Sequence, residues 1–185
     1  MKWTMTHEST PSPNIDPAPG HSPSTSGPER TPDGHHIIIN GRKWRASDPS
    51  IPEKLRAELV AELMAARRLV RTDPEHARPR VQDAKIALGE RGEAWWEHTD
   101  QGRSQRIEAT IKALLRHRDG ATICPSDAAK VVGGTDWREL MDRARNVAAG
   151  LHRDGVVEVR QRGKRVDPTS AHGPLRIAPG PELGP

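Results

Sequence analysis

The stretch GGTDWRELMDRARNVAAGLHRDGVVEVRQRGKR, residues 133–165, decides how the chain is read. Gly133-Gly134-Thr135 make a tight turn, because glycine adopts backbone angles that other residues reach only with strain. Asp136 stands three residues ahead of Glu139 in the arrangement of a capping box. Trp137, Leu140, Met141, Ala144, Val147, Ala148 and Leu151 then recur at i, i+3 and i+4, so a helix over 136–152 buries a full stripe. Gly155 closes that helix, Val156 to Gln161 alternates as a strand, and Arg162-Gly163-Lys164 is a basic loop.

Working outward, Ser104 is placed to cap a helix whose Ile107, Thr110, Ile111, Leu114 and Leu115 repeat at helical spacing as far as Gly120. Ala121-Thr122-Ile123-Cys124 is a β-prone link, and Pro125-Ser126-Asp127 starts a short helix through Val131 and Val132. On the other side, a loop over 167–173 leads to a last strand in Leu175-Arg176-Ile177-Ala178. Helix, short strand, helix, tight turn, helix, strand, basic loop and strand is the element order of a winged helix-turn-helix, predicted over 101–179.

The motifs Ser126-Asp127-Ala128-Ala129, Trp137-Arg138-Glu139-Leu140-Met141, Gly155-Val156-Val157-Glu158-Val159, Gln161-Arg162-Gly163-Lys164, Val166-Asp167-Pro168 and Gly173-Pro174-Leu175-Arg176-Ile177 closely resemble a small bacterial family known as a domain of unknown function. The resemblance implies a winged-helix fold over about 80 residues and says almost nothing of activity.

Residues 35–99 read as a separate small module. His36-Ile37-Ile38-Ile39, then Asn40-Gly41, then Arg42-Lys43-Trp44-Arg45 is a β-hairpin, since Asn-Gly supplies the two positive φ angles of a type I′ turn. Ser50 and Glu53 are spaced as a capping box for a helix from about Ile51 to Arg71, with Leu55, Leu59, Leu63 and Val70 as its buried stripe and Val60, Met64 and Ala66 beside it. Thr72-Asp73-Pro74 ends it, and a second helix runs from His76 or Arg80 to Leu88. A module of this size without disulfide or metal has a marginal core and is expected to lean on the other module or on a second copy of the chain.

This module also resembles short bacterial proteins labelled "biopolymer transporter Tol", on His36 to Arg45, Asp48-Pro49-Ser50-Ile51-Pro52, Glu62 to Arg68 and Ala84 to Gly92. A transporter subunit of that type would carry a membrane segment, which these residues lack. The resemblance implies a recurring module, not transport.

Residues 1–34 hold seven Pro and ten Ser or Thr with a net charge of −2, and are expected to be a disordered tail, as are 180–185. The overall fold class is therefore mainly α with small β elements (α+β). The lone cysteine excludes a disulfide scaffold and a cysteine-based zinc site. No apolar run approaches the roughly 20 residues of a membrane span, and MKWTMTHEST lacks the apolar core of a signal peptide, so a soluble cytoplasmic protein without membrane contact is expected.

The formal net charge of +4 hides a contrast, because the acidic 1–34 segment offsets basic residues further along. On the helix over 136–152 the outward residues are Arg138, Asp142, Arg143, Arg145 and Asn146, and the basic loop offers Arg160, Arg162, Lys164 and Arg165. In winged-helix DNA binders the third helix enters the major groove and the wing touches backbone, so Arg138, Arg143, Arg145 and Asn146 are candidates for base edges and the wing cations for phosphates. An ordinary solvated ladder of Arg138–Asp142, Glu139–Arg143 and Asp142–Arg145 pairs explains the helix face equally simply.

Catalysis finds little support. Cys124 is read as a buried core residue, the nine histidines lack metal-ligand spacing, and Glu90, Glu93 and Glu97 read as a polar helix end as readily as a carboxylate set. Trp95-Trp96 could stack on single-stranded bases but reads first as packing. Arg42, Lys43 and Arg45 suit a protected strand edge, and Arg67, Arg68 and Arg71 a solvated helix face. The expectation is a non-enzymatic protein without cofactor that binds double-stranded DNA in a regulatory or accessory role. The alternative is a winged helix used as a docking platform for a protein partner, with self-association possible through the first module.

Overall fold

Asn40 and Gly41 carry φ of 50° and 72°, and this left-handed pair turns strand β1 (His36–Ile39) back into β2 (Arg42–Arg45), as the Asn-Gly signal predicts. A computed structural model describes residues 28–184. The disordered tail expected over 1–34 lies outside the described residues up to 27. Residues 28–34 depart from that expectation, because Thr31 N donates to the His36 carbonyl at 3.0 Å and Ile38 N to the Glu29 carbonyl at 2.8 Å. The outward main-chain groups of β1 need partners, and residues 29–31 supply them.

Helix α1 (Glu53–Leu69) begins without the expected capping box. Pro52 occupies its N-cap, and Ser50 instead donates its N–H and hydroxyl to Asp48 Oδ1 at 2.8 and 2.7 Å. Asp48 closes a local turn onto Ser50 two residues on, and Ser50 makes no capping bond to the helix. Leu55, Leu59, Leu63 and Ala66 are buried, together with Glu62, while Val60 and Met64 are exposed. Helix α2 (Pro74–Ala87) starts earlier than expected, with Asp73 accepting from His76 N and Pro74 in the first turn.

Helix α3 (Asp100–His117) is capped by Thr99, whose Oγ1 accepts from Gly102 N at 3.1 Å. Ser104 lies inside the helix and returns its hydroxyl to the Asp100 carbonyl, so it is not the cap. Ile107, Thr110, Ile111, Leu114 and Leu115 are buried as the periodicity requires. Ile123 forms a bridge with Ile177, with N–H to O distances of 2.9 Å in both directions, and helix α4 (Pro125–Gly133) follows.

The third helix starts later than Asp136. Residues Gly134–Leu140 wind as a 3-10 turn in which Asp136 has non-helical angles, and helix α5 spans Met141–Arg153. The tighter winding brings Leu140 onto Gly133, and it removes the Asp136–Glu139 capping box. Beyond α5, strands β3 (Val157–Gln161), β4 (Lys164–Arg165) and β5 (Arg176–Pro179) form an antiparallel sheet in the order β4-β3-β5. Arg162 and Gly163, at φ of 49° and 81°, make the two-residue turn between β3 and β4.

The expected C-terminal tail is ordered as far as 184. Pro181–Leu183 form a 3-10 turn, Glu182 N donates to the Gly155 carbonyl at 3.1 Å, and Leu183 is buried. Burial of one leucine side chain stabilises by roughly 1.5 to 3 kcal/mol, enough to hold a short segment in place.

The fold is α+β and mainly helical, with one hydrophobic core running from Leu55, Leu59 and Leu63 through Leu88, Ile107 and Leu114 to Val157 and Ile177. The small segment over 35–99 therefore does lean on the rest of the chain. Arginines tie the elements together. Arg80 makes a two-pronged contact with the buried Glu62 at 2.8 and 3.0 Å, and Arg118 joins Glu58 at 2.7 Å to Asp127 at 2.9 Å. Arg116 donates to Asp83 at 2.6 Å and to the Leu183 carbonyl at 2.9 Å. Burial pushes the Asp83 carboxyl up, against the downward pull of Arg116.

Candidate nucleic-acid interface

Strand β3 alternates, with Val157 and Val159 buried and Glu158 and Arg160 on the open face. The turn at Arg162-Gly163 then carries Arg162, Lys164 and Arg165 out to the exposed tip of the β3–β4 hairpin. Glu158 takes part of this charge. Arg160 donates from Nε and Nη2 to Glu158 Oε2 at 3.1 and 2.7 Å, and Arg165 Nη1 stands 4.0 Å from Glu158 Oε1. The bond from Arg160 holds the Glu158 carboxyl below the usual carboxylate range.

Asp167, the other acid near the hairpin in sequence, is occupied locally. Its Oδ1 accepts from Thr169 N at 2.9 Å and Thr169 Oγ1 at 2.7 Å, which keeps its pKa low. Among the described residues, Arg162 and Lys164 have no side-chain hydrogen bond or ion pair. The hairpin thus presents two unpaired cations and one loosely paired one.

The α5 face is arranged differently. Arg143 Nη1 donates to the Asp100 carbonyl and to Ser104 Oγ, both at 3.0 Å, and Nη2 pairs with the Asp100 carboxylate. Arg145 Nη2 donates to the Gly173 carbonyl at 2.9 Å, fastening α5 to the loop before β5. Arg138 lies in the 3-10 turn ahead of α5, exposed, with its guanidinium 4.6 Å from the centre of the Trp137 ring. Asn146 is exposed and carries no side-chain hydrogen bond among the described residues. None of the three expected ladder pairs is formed there: Arg138 lies against the Trp137 ring, and Arg143 and Arg145 reach acceptors outside their own helix.

The structure brings Asn146 beside the 167–169 loop, where both line a shallow depression of about 380 Å³ with Arg153. Arg153 was not singled out from sequence, although it stands seven residues after Asn146 on the same outward helical face. Gln161 Nε2 donates to the His172 carbonyl at 2.6 Å, which joins β3 to the same loop. Helix, loop and hairpin are thereby braced against one another.

Other candidates are taken up by packing. Trp96 stacks on His35 at 3.9 Å, Trp95 meets both rings edge-on, and Trp95 Nε1 donates to the Ala46 carbonyl at 3.1 Å. Glu93 accepts from Thr99 N at 3.0 Å and Glu90 from Ser47 Oγ at 2.9 Å. Cys124 is half-buried at the start of α4, not the buried core residue its β-prone context suggests, and its main-chain N–H donates to the Asp127 carboxylate at 3.2 Å. Among the described residues no helix is long and apolar enough to cross a membrane, and no group of three His, Cys, Asp or Glu is placed to hold a metal ion.

This geometry defines a mainly helical α+β protein with a small antiparallel sheet that ends in an exposed basic hairpin. Residues 104–179 match the model of a family described as a protein of unknown function (DUF3253). No curated protein matches the chain.

Proposed function

We propose that residues 101–179 are a winged helix and that the protein is cytoplasmic and binds double-stranded DNA in a regulatory or accessory role, with the β3–β4 hairpin as the principal contact. The reading of the fold is supported by the order α3, bridge at Ile123, α4, α5, β3, β4, β5 and by the sheet order β4-β3-β5. The observation that carries the function is the tip of the hairpin. Arg162, Lys164 and Arg165 are exposed at and beside the two-residue turn, with few acids to neutralise them. Such cations gain affinity by releasing counterions from phosphates, without reading sequence. Asn146 and Arg138 would then supply base-edge contacts from the helix side.

A second reading is a non-enzymatic platform for a protein partner. The internal engagement of Arg143 and Arg145 favours it, since a recognition helix with those forks bound elsewhere has fewer donors for bases. Anisotropy of a labelled random duplex over a salt series separates the two. Phosphate binding gives a log–log slope of about −0.9 per phosphate neutralised, and replacing Arg162, Lys164 and Arg165 with alanine flattens it. Absence of binding at low salt, or a slope unchanged by that triple replacement, removes the DNA reading.

A further inference from the structure

Five large apolar residues are exposed among the described residues, and four of them, Ile39, Trp44, Val60 and Met64, line one cleft between the β1–β2 hairpin and α1. The hairpin register explains the concentration. Ile37 stands opposite Trp44 and Ile39 opposite Arg42, so these side chains share the face turned toward Val60, Leu63 and Met64. The cleft measures about 750 Å³, within the range of built binding sites. Scattered single apolar residues on a surface mean little, but a contiguous patch rimmed by polar groups marks an interaction site.

The rim is cationic. Arg30, Arg42, Arg67 and Lys85 border the cleft, and among the described residues none of them forms an ion pair. Among the described residues of the lining Glu90 is the single acid, and it is already accepting from Ser47. The edge of the sheet is open as well. A two-residue turn makes Ile39–Arg42 and Ile37–Trp44 the hydrogen-bonded pairs, an alternation continued by Ala46 N to the His35 carbonyl at 2.9 Å. The main-chain groups of Lys43 and Arg45 consequently face away from β1, and no backbone partner for them occurs among the described residues. On the opposite edge, Ile38 is already paired with Glu29.

We propose that this cleft docks an extended acidic segment of a partner protein, which adds to the open edge of β2 and seats apolar side chains between the hairpin and α1. The apolar floor favours a peptide over nucleic acid, whose backbone would leave Ile39, Trp44 and Met64 uncovered. The strand edge favours a peptide over a lipid, because main-chain pairing supplies affinity and alternate side chains supply specificity. The four cations on the rim select acidic flanks. This surface is separate from the β3–β4 hairpin, so it stands or falls independently of DNA binding.

Panning the full chain against a phage-displayed library of random dodecapeptides tests the assignment. Enriched peptides should carry large aliphatic or aromatic residues at alternate positions, flanked by Asp or Glu. A labelled synthetic copy of the most enriched peptide should lose roughly tenfold or more in affinity for the Arg42→Glu, Arg67→Glu double variant and for Met64→Glu, and bind the Arg162, Lys164, Arg165 triple alanine variant unchanged. All these positions are exposed, and an unaltered thermal midpoint shows that each variant is folded. Enrichment without acidic residues, no enrichment, or affinity insensitive to Arg42 and Arg67 overturns the proposal. So does competition by duplex DNA, or dimerisation in sedimentation that Met64→Glu abolishes, which would make a second copy the occupant.

Discussion

Arg106 Nη1 donates to Asp48 Oδ2 at 2.7 Å with both side chains buried, joining the start of α1 to the middle of α3. The same guanidinium reaches the Ala87 carbonyl at 3.0 Å and the Val131 carbonyl at 3.3 Å, so one side chain fastens α2, α3, α4 and the hairpin-to-helix link. Burial pulls the Arg106 guanidinium down while Asp48 opposes the shift. Asp48→Ala leaves a buried charge without its partner and should destabilise the fold by about 3 to 5 kcal/mol. Replacing both residues with leucine and methionine should cost less than the single change. Urea unfolding measures both, and a loss under about 1 kcal/mol for Asp48→Ala would remove Arg106 as the central tie.

Glu158 governs how much charge the hairpin presents. Glu158→Gln releases Arg160 and relaxes Arg165, so duplex binding should tighten and the salt slope should steepen by about 0.9 for each phosphate gained. The Glu158 carboxyl titrates below the ordinary glutamate range in the folded chain because Arg160 donates to it. A carboxyl with a depressed folded pKa contributes stability above its unfolded pKa and loses it as pH falls through the folded one. Carboxyl carbon NMR shifts should show this low titration, and Arg160→Gln should move it upward. An unmoved titration would detach Arg160 from Glu158 in solution.

Leu183 anchors the C-terminal turn, packed in the common core with Arg116 holding its carbonyl. Leu183→Ala should destabilise by roughly 2 to 3 kcal/mol, whereas a true tail residue would change nothing measurable. The denaturation midpoint decides between them.

Gly134 holds φ of 51° and ψ of −118°, and a Cβ there would stand 2.9 Å from the Ser50 Cβ. Gly134→Ala should cost roughly 1 to 3 kcal/mol, from backbone strain and from crowding against the 48–50 segment. The same replacement at Gly120, whose Cβ would meet nothing within 4 Å, incurs only the strain of its positive φ. Thermal melts of the two variants should therefore differ, with Gly134→Ala the lower.

The arginines show where sequence reading stops. Guanidinium forks suit phosphate contacts, yet Arg80, Arg106, Arg116, Arg118, Arg143 and Arg145 bond within the chain. Of the eight residues singled out for DNA, the unpaired hairpin cations keep the exposure that role demands, and Arg143 and Arg145 are taken by α3 and the 173 loop. Glu62 gave no sequence signal of burial, since nothing local marks Arg80 as its partner eighteen residues away.

Local pattern by itself determined the turns at Asn40-Gly41 and Arg162-Gly163, the buried stripes of α1, α3 and α5, and hence the α+β class, because backbone angles and side-chain periodicity act over a few residues. Tertiary structure alone decided which arginines remain free and that the short segment at Leu183 is part of the core. Those outcomes depend on competition among acceptors brought together by folding. Arg143 reaches Asp100, 43 positions away, and not Glu139 on its own stretch, and Arg116 reaches a carbonyl 67 positions along the chain.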